Sequence, residues 1–192
     1  MLDVVVASSY IWSGARPTRM LLMVLDAGQC KIRSWQFSDL SSLVRQADNP
    51  AIWRNVRDGF PSPYTDSDAE RWLLHAASAN PETNFAIAVN GEAVGGIGIT
   101  LQADIHRVSA EMGYWLGEEY WGRGIMTCAV SAFAGYAFST FALSRVFACV
   151  FEWNRASARV LEKSGFVLEA RLRRSAVKAG RIIDEFQYAL VR

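Results

Sequence analysis

The sequence predicts one mixed α/β domain of the α+β kind, in which a mostly antiparallel sheet of about seven strands is flanked by about four helices. Three observations support this fold class. Two strand-like runs meet at Asn90-Gly91, a dipeptide typical of tight hairpin turns. A long apolar segment, 125–141, has almost no polar stripe and therefore predicts a helix covered by a sheet. Two β-rich runs, 166–177 and 182–191, predict a closing hairpin.

The chain has 192 residues with 51% apolar content, which is enough for one cored domain and too little for two. Residues 1–28 show no sustained hydrophobic period and contain Gly14 and Pro17. We therefore predict an N-terminal extension over 1–28, either a loosely docked arm or an artefact of the chosen start site. The folded domain is expected over 29–192.

Local signals place the remaining elements along the chain. Ser38 is the predicted N-cap of a first helix, which Asn49-Pro50 interrupts. Ser67 and Glu70 have capping-box spacing and predict a second helix over 68–78. A short helix is expected over 156–163, ended by Gly165. Strands are predicted over 31–35, 84–89, 93–101, 109–116 and 145–151.

Composition excludes several classes of partner. Lys and Arg total 20 against 19 acidic residues, so the net charge predicts neither nucleic-acid binding nor attachment to an anionic membrane. The longest apolar run near the N-terminus is too short to span a bilayer. The three cysteines are odd in number and widely separated, which fits neither a disulfide framework nor a zinc site and favours a reducing cytoplasm. His75 and His106 stand alone, so no metal is predicted.

The candidate chemistry lies at residues 117–127. A predicted strand ends there, Gly122 and Gly124 flank Arg123, and a helix begins at once. N–H groups at a helix start carry roughly half a positive charge and can hold a pyrophosphate. Glycine leaves such amides unobstructed. The four residues 121–124 alone fit a plain β-to-α turn equally well.

A wider set of residues resembles the GNAT acetyltransferase superfamily. Glu119-x-x-Gly122-x-Gly124 is similar to its pyrophosphate loop, usually Arg or Gln, two residues, Gly, one residue, Gly or Ala, and departs from it at the first position. Residues 110–116 (AEMGYWL) and 120–127 (YWGRGIMT) resemble the RimJ/RimL branch, whose members acetylate the N-termini of ribosomal proteins. Asn154-x-x-Ser157 and the segment 163–166 resemble a second block of that branch. The resemblance covers about residues 31–192.

The resemblance implies the GNAT fold, with a splayed sheet that holds acetyl-CoA as cosubstrate between the strand ending near Leu116 and the strand ending near Phe151. A backbone N–H near Trp115 or Leu116 would then face the thioester carbonyl and stabilise an oxyanion. The residues implied to bind acetyl-CoA are Trp115, Leu116, Gly117, Tyr120, Trp121, Gly122, Arg123, Gly124, Ile125, Met126 and Asn154.

Two residues are candidates for catalytic roles. Many GNAT enzymes carry a tyrosine acid where this chain has Leu161, and Ser157 is the substitute because RimL-type enzymes have a serine at the matching place. The alternative for Ser157 is a helix serine bonded to its own backbone. Glu111, on the central strand, is the candidate base. Its alternative is a structural carboxylate paired with Arg107 or Arg145.

Two functional classes stay open at this stage. The first is an enzyme that moves an acetyl group from acetyl-CoA to a primary amine, such as a protein N-terminus, within a ternary complex. The second is a non-catalytic module that binds acyl-CoA and reports it to a partner. RimL-type enzymes also carry a carboxylate on the late hairpin, where Ala176 stands here. No residue selects the acceptor amine, and apolar residues on the final hairpin could support a homodimer.

Overall fold

The computed structural model describes residues 4–9 and 20–192. Over these residues, nine strands form one sheet that carries five α-helices. The strands are β1 (Val4–Ser9), β2 (Met20–Asp26), β3 (Lys31–Arg33), β4 (Asn84–Val89), β5 (Glu92–Leu101), β6 (Ser109–Leu116), β7 (Arg145–Phe151), β8 (Val167–Lys178) and β9 (Arg181–Val191). The helices are α1 (Leu40–Ala47), α2 (Pro50–Trp53), α3 (Asp66–Ser78), α4 (Ile125–Thr140) and α5 (Arg155–Lys163).

The sheet runs in chain order from β1 to β7 and then continues with β9 and β8. Every neighbouring pair is antiparallel except β6 and β7, which are parallel. That parallel pairing begins at Ser109 and Arg145 and ends at Glu111 and Phe147. Beyond it the two strands separate, while each stays bonded to its other neighbour. The predicted mixed, splayed and mostly antiparallel sheet is confirmed.

Two strands exceed the predicted number because β1 and β2 lie within the predicted extension. Strand β2 pairs with β3, and its Met23 and Leu25 belong to the main hydrophobic core. A continuous apolar run without alternation hid this strand in the sequence. The stretch 12–19 lies outside the described residues, and the domain boundary at residue 28 stays a prediction.

Helix starts differ from the predicted caps. A short 3₁₀ turn over Phe37–Asp39 precedes α1, so Ser38 is not its N-cap. Helix α3 begins two residues before the predicted start, with Thr65 as N-cap and Asp68 as its reciprocal partner. Asn49-Pro50 does end α1, but it also begins α2, because the Asn49 side chain accepts the N–H of Ala51 at 2.7 Å.

Each face of the sheet has its own core. Helix α4 covers one face and buries Val130 and Phe133 completely, as the apolar sequence of this helix predicts. Helices α1 and α3 cover the other face around Trp35, Leu43 and Leu73. The hydrophobic effect therefore holds helices against both surfaces of the sheet. This packing does not close the gap between β6 and β7.

The closing hairpin β8–β9 forms as predicted. Its outer strand β8 lies at the sheet edge and exposes Val167, Leu168 and Val177. A homodimer through this hairpin stays a prediction. Within residues 4–9 and 20–192, the structure contains no helix with the length and apolar character needed to cross a membrane.

Candidate active site

A cleft opens where β6 and β7 separate. Its volume is about 570 Å³, and its lining comes from the ends of the two strands, the turn before α4, the first turns of α4 and α5, and the segment after α2. This volume lies within the usual range for small-molecule sites, about 300–1,000 Å³. Because the cleft passes between two strands, it receives side chains from both faces of the sheet.

The turn that leads from β6 into α4 has the backbone geometry that its glycines suggest. Gly122 and Gly124 adopt left-handed φ angles of 73° and 81°, a region in which side chains other than Asn and Asp are strained. The indole N–H of Trp121 donates to the carbonyl of Leu116 at 2.8 Å and fixes the turn against the end of β6.

Helix α4 begins without a capping side chain because its N-cap residue is Gly124. Its first internal hydrogen bond runs from the N–H of Cys128 to the carbonyl of Gly124. The N–H groups of Ile125, Met126 and Thr127 therefore lie free of the helix ladder at the cleft wall. Such a helix start attracts an anion through its orphan donors and its dipole.

The structure brings together nine of the eleven residues predicted to bind acetyl-CoA. Those that line the cleft are Trp115, Leu116, Tyr120, Trp121, Gly122, Gly124, Ile125, Met126 and Asn154. Gly117 lies outside this lining: it is buried against α1, and an added Cβ would approach Gln46 Oε1 to 2.0 Å. Arg123 is exposed and places its guanidinium over the ring of Tyr120, at 5.5 Å from the centroid.

The residues before the turn contact α1 and α2 rather than the cleft. Glu118 accepts a 2.7 Å hydrogen bond from the side-chain amide of Asn49, the residue that caps α2. Glu119, at the position where the family pattern has Arg or Gln, accepts one from Gln46 of α1. These side chains are thereby hydrogen-bonded to α1 and to the N-cap of α2, the helix whose Ile52 lines the cleft.

Glu111 lies in the cleft on β6 and pairs with the guanidinium of Arg57, from the segment after α2. The predicted partners are wrong: Arg145 binds Glu169, and Arg107 donates to the carbonyl of Asp104. Glu111 has 18% of its side chain exposed, against 72% for Arg57. The carboxylate is therefore part of the cleft wall, while its partner reaches in from solvent.

Ser157 lies on the opposite side of the cleft, in the first turn of α5. Asn154 fixes this turn, because its side chain accepts the N–H of Ser157 at 3.2 Å. The serine hydroxyl lies 2.8 Å from the phenol oxygen of Tyr114. The alternative of a serine bonded to its own backbone is therefore wrong, since the hydroxyl pairs with a side chain from β6.

Sequence reasoning missed Tyr114, which lines the cleft from β6. Alternation along a strand would have placed Glu111 and Tyr114 on opposite faces, so the signal was present. Burial raises the pKa of Tyr114, and the hydrogen bond between its phenol and the Ser157 hydroxyl offsets this in part. The phenol is therefore neutral across the physiological range.

Glu185 and Cys149 also line the cleft and were missed. Glu185 lies opposite Phe151 in the β7–β9 pairing, a relationship that no local sequence signal reveals. Burial, together with the charges of Glu185 and Glu111, raises the pKa of the Cys149 thiol to about 11. Cys149 is thus a neutral thiol beside two carboxylates.

On the side of α5, Arg159 and Lys163 bring positive charge to the cleft. Across the part of the chain that the structure describes, no three His, Cys, Asp or Glu side chains gather as metal ligands would. The arrangement combines an anion-binding helix start, a carboxylate on one side of the sheet and a paired hydroxyl on the other. Such a site can hold a phosphorylated carrier and deliver its reactive end to a nucleophile.

A sequence model described as the Acetyltransferase (GNAT) domain matches residues 30–167. This range includes the turn, α4, α5 and the hydroxyl and carboxylate described above. It therefore covers the cleft lining from Ile52 to Lys163 and leaves out Glu185 on β9.

Two bacterial relatives are similar in sequence. The uncharacterized N-acetyltransferase YoaA of Bacillus subtilis is 39% identical over 101 residues, which are 53% of this chain and 56% of YoaA. The uncharacterized N-acetyltransferase p20 of Bacillus licheniformis is 28% identical over 84% of this chain and 92% of p20. The chain thus matches about half the length of YoaA and nearly all of p20.

Among solved structures, RimJ of Mycobacterium smegmatis in complex with CoA-disulfide superimposes with a TM-score of 0.76 and 26% identity, over 88% of this chain and 85% of RimJ. The similarity agrees with the predicted RimJ/RimL-like branch. RimJ, which shares this fold and is detectably similar in sequence, therefore binds a form of coenzyme A.

Proposed function

This chain belongs to the GNAT acetyltransferase family, and from that premise we propose that it transfers the acetyl group of acetyl-CoA directly to a primary amine. The observation that carries the proposal is the cleft, whose wall contains the free N–H groups at the start of α4. Those donors suit the pyrophosphate of acetyl-CoA, and the gap between β6 and β7 suits its slender arm. Both substrates would be bound together, one from each face of the sheet.

On the acceptor side, Glu111 is the proposed base. An amine attacks only when its nitrogen lone pair is free, so its proton must leave first, to a carboxylate in reach or through one water. Glu111 lines the cleft and is held in place by Arg57. The nitrogen then forms a bond to the thioester carbonyl carbon, and the oxyanion is stabilised by a backbone N–H near Trp115 or Leu116. The nitrogen is positively charged in this intermediate, and the second proton that it loses as the C–S bond breaks goes to the released thiolate.

On the carrier side, Ser157 is the proposed donor to the leaving sulfur. The C–S bond breaks and its electron pair stays on sulfur. A thiol has a pKa of about 8.5, far below that of an aliphatic hydroxyl, so the serine stabilises the thiolate by a hydrogen bond and keeps its own proton. Thiol release should therefore depend on the Ser157 hydroxyl without requiring it to ionise.

The proposed acceptor is a protein N-terminus, by analogy with the RimJ/RimL-like branch, and the proposed location is the cytoplasm. The three free cysteines, Cys30, Cys128 and Cys149, support a reducing compartment. A panel with a free-N-terminal peptide, a polyamine, an aminoglycoside and an amino acid, scored by thiol release, tests the acceptor. Binding of acetyl-CoA without release for any amine would favour the non-catalytic module.

The site itself is tested by calorimetric titration of acetyl-CoA into the wild type and into a Gly122→Asp, Gly124→Asp double variant. The two new carboxylates would stand where the pyrophosphate belongs, so binding should be lost. The matched control is Gly122→Asn, Gly124→Asn, which adds the same bulk and tolerates the same φ angles without charge. The site assignment requires the Asn variant to bind more tightly than the Asp variant, and equal losses would contradict an anion site at this turn.

A further inference from the structure

Two hydroxyls from different elements meet inside the cleft. Tyr114 extends from β6 and Ser157 from α5, and both line the cleft. The oxygens lie 2.8 Å apart, and the phenol oxygen is also 3.3 Å from the backbone carbonyl of Ser157. Because β6 and β7 have separated at this level, Tyr114 is the side chain that joins β6 to the first turn of α5.

The hydrogen-bond inventory allows two orientations of the pair. Each hydroxyl has one hydrogen to donate. If Ser157 donates to Tyr114, the phenol hydrogen turns to the carbonyl at 3.3 Å, and no donor is left for the cleft. If Tyr114 donates to Ser157 Oγ, the serine hydrogen is free to face the cleft. A thiolate forming in the cleft stabilises the second arrangement, since it needs a donor.

The geometry points to Tyr114 as a positioning residue whose phenol holds the Ser157 hydroxyl so that its hydrogen faces the sulfur of the departing CoA. This inference rests on the proposed function. The phenol keeps its proton throughout: the C–S electron pair goes to sulfur, Ser157 donates a hydrogen bond to it, and Tyr114 donates one to Ser157 Oγ. A donor that itself accepts a hydrogen bond is polarised and becomes a stronger donor.

The test is a double-mutant cycle measured by thiol release with an accepted amine. The variants are Tyr114→Phe, Ser157→Ala and the double variant, with Tyr188→Phe as the matched control. Tyr188 is buried, and its hydroxyl donates to Glu162 on the same helix α5 at 3.0 Å, outside the cleft. If Tyr114→Phe acted only by removing a hydrogen bond that holds α5 in place, Tyr188→Phe would show the same effect.

We expect Ser157→Ala to lower kcat about 100-fold and Tyr114→Phe about 10-fold, with acetyl-CoA affinity and acceptor KM unchanged. The double variant should match Ser157→Ala within about twofold, because Tyr114 acts only through the serine. Tyr188→Phe should keep kcat within about twofold of the wild type. Additive losses, a change in KM alone, or an equal loss in Tyr188→Phe would overturn the positioning role while leaving the acetyltransferase intact. Absence of turnover in the wild type would overturn the proposed function and this inference with it.

A second measurement does not depend on how Tyr114→Phe folds. In protein labelled with ¹³C at tyrosine Cζ, the Tyr114 resonance should keep its protonated shift from pH 6 to about pH 10, where an exposed phenol titrates. The same resonance should move in Ser157→Ala, because the hydroxyl that it pairs with is gone. A Tyr114 resonance that does not respond to the loss of Ser157 contradicts the pairing.

Discussion

The side-chain amide of Gln46 donates a 2.6 Å hydrogen bond to the carboxylate of Glu119. Gln46 is buried in α1, and Glu119 opens the glycine turn that precedes α4. This bond explains how a glutamate is accommodated where the family pattern has Arg or Gln: its side chain is used to hold α1, and the backbone amides of the turn remain available. The turn is therefore tied to α1 by a hydrogen bond between side chains.

Two substitutions of Glu119 distinguish the effect of its hydrogen bond to Gln46 from the effect of its negative charge. Glu119→Gln keeps an acceptor for Gln46 and removes a negative charge next to the proposed pyrophosphate site, so acetyl-CoA should bind equally well or up to about threefold more tightly. Glu119→Ala leaves the buried amide of Gln46 without its acceptor and should lower the free energy of unfolding by about 1–3 kcal/mol. Calorimetry and urea unfolding measure the two effects. A Gln variant less stable than the Ala variant would contradict this account.

Glu111→Gln should lower kcat by at least about 100-fold if this carboxylate takes the proton of the amine. The matched control is Glu169→Gln, a carboxylate that also pairs with an arginine, Arg145, but lies outside the cleft. That control should keep its activity. Glu185→Gln belongs in the same series, because Glu185 is the other carboxylate of the cleft wall. Activity retained in Glu111→Gln and lost in Glu185→Gln would assign the base to β9 instead.

The alkylation rate of the Cys149 thiol should show whether acetyl-CoA occupies the cleft. Because its pKa is raised to about 11, alkylation by iodoacetamide at pH 7.5 should be about 100-fold slower than that of a free thiol, and should increase about tenfold per pH unit up to that value. Saturating acetyl-CoA should slow it further. Peptide mass spectrometry measures the rate, with Cys149→Ser to identify the modified site. Fast labelling that acetyl-CoA does not affect would place Cys149 outside the occupied region.

The capping box at the start of α3 should account for part of the free energy of unfolding that is lost at low pH. The hydroxyl of Thr65 donates to the Asp68 carboxylate at 2.6 Å and its N–H at 2.9 Å, and with Arg71 nearby these bonds hold the pKa of Asp68 below its usual range. A carboxyl with a lowered folded-state pKa stabilises the protein above its unfolded pKa, about 3.9, and this contribution is lost as the pH falls through the folded value.

Asp68→Ala should therefore lose less stability between pH 7 and pH 3 than the wild type does, as measured by urea unfolding at both values. Glu70→Ala, which removes an exposed carboxylate from the same helix, is the matched control and should keep the slope of the wild type. An unchanged slope in Asp68→Ala would show that the capping box does not contribute to acid sensitivity.

Local chemistry was sufficient to predict several elements. Asn90 and Gly91 have left-handed φ angles of 51° and 88°, as the tight turn between β4 and β5 requires. The largely apolar sequence of α4 predicted a helix buried against the sheet, and the structure agrees. The cap of α3 was predicted two residues too late, because Thr65 with Asp68 forms the capping box in place of Ser67 with Glu70.

The parts of the site that sequence could not predict depend on tertiary placement. Arg57 pairs with Glu111, which lies 54 residues further along the chain, and only the tertiary fold brings the two together. Glu185 reaches the cleft through the register of β9 on β7. Strand β2 was missed because an uninterrupted apolar run carries no alternation, although Leu25 proves to be almost completely buried.

The parallel pairing between β6 and β7 ends at Glu111 and Phe147, so the rest of β6 has a strand edge inside the sheet that β7 does not pair. An unpaired strand edge on a protein surface invites other chains to pair with it, and natural proteins usually cover or charge such edges. Here the edge of β6 beyond Glu111 lies within the molecule, where another folded chain cannot reach it but a thin, flexible ligand can. A ligand bound between the strands would therefore meet backbone groups of β6 that no neighbouring strand pairs.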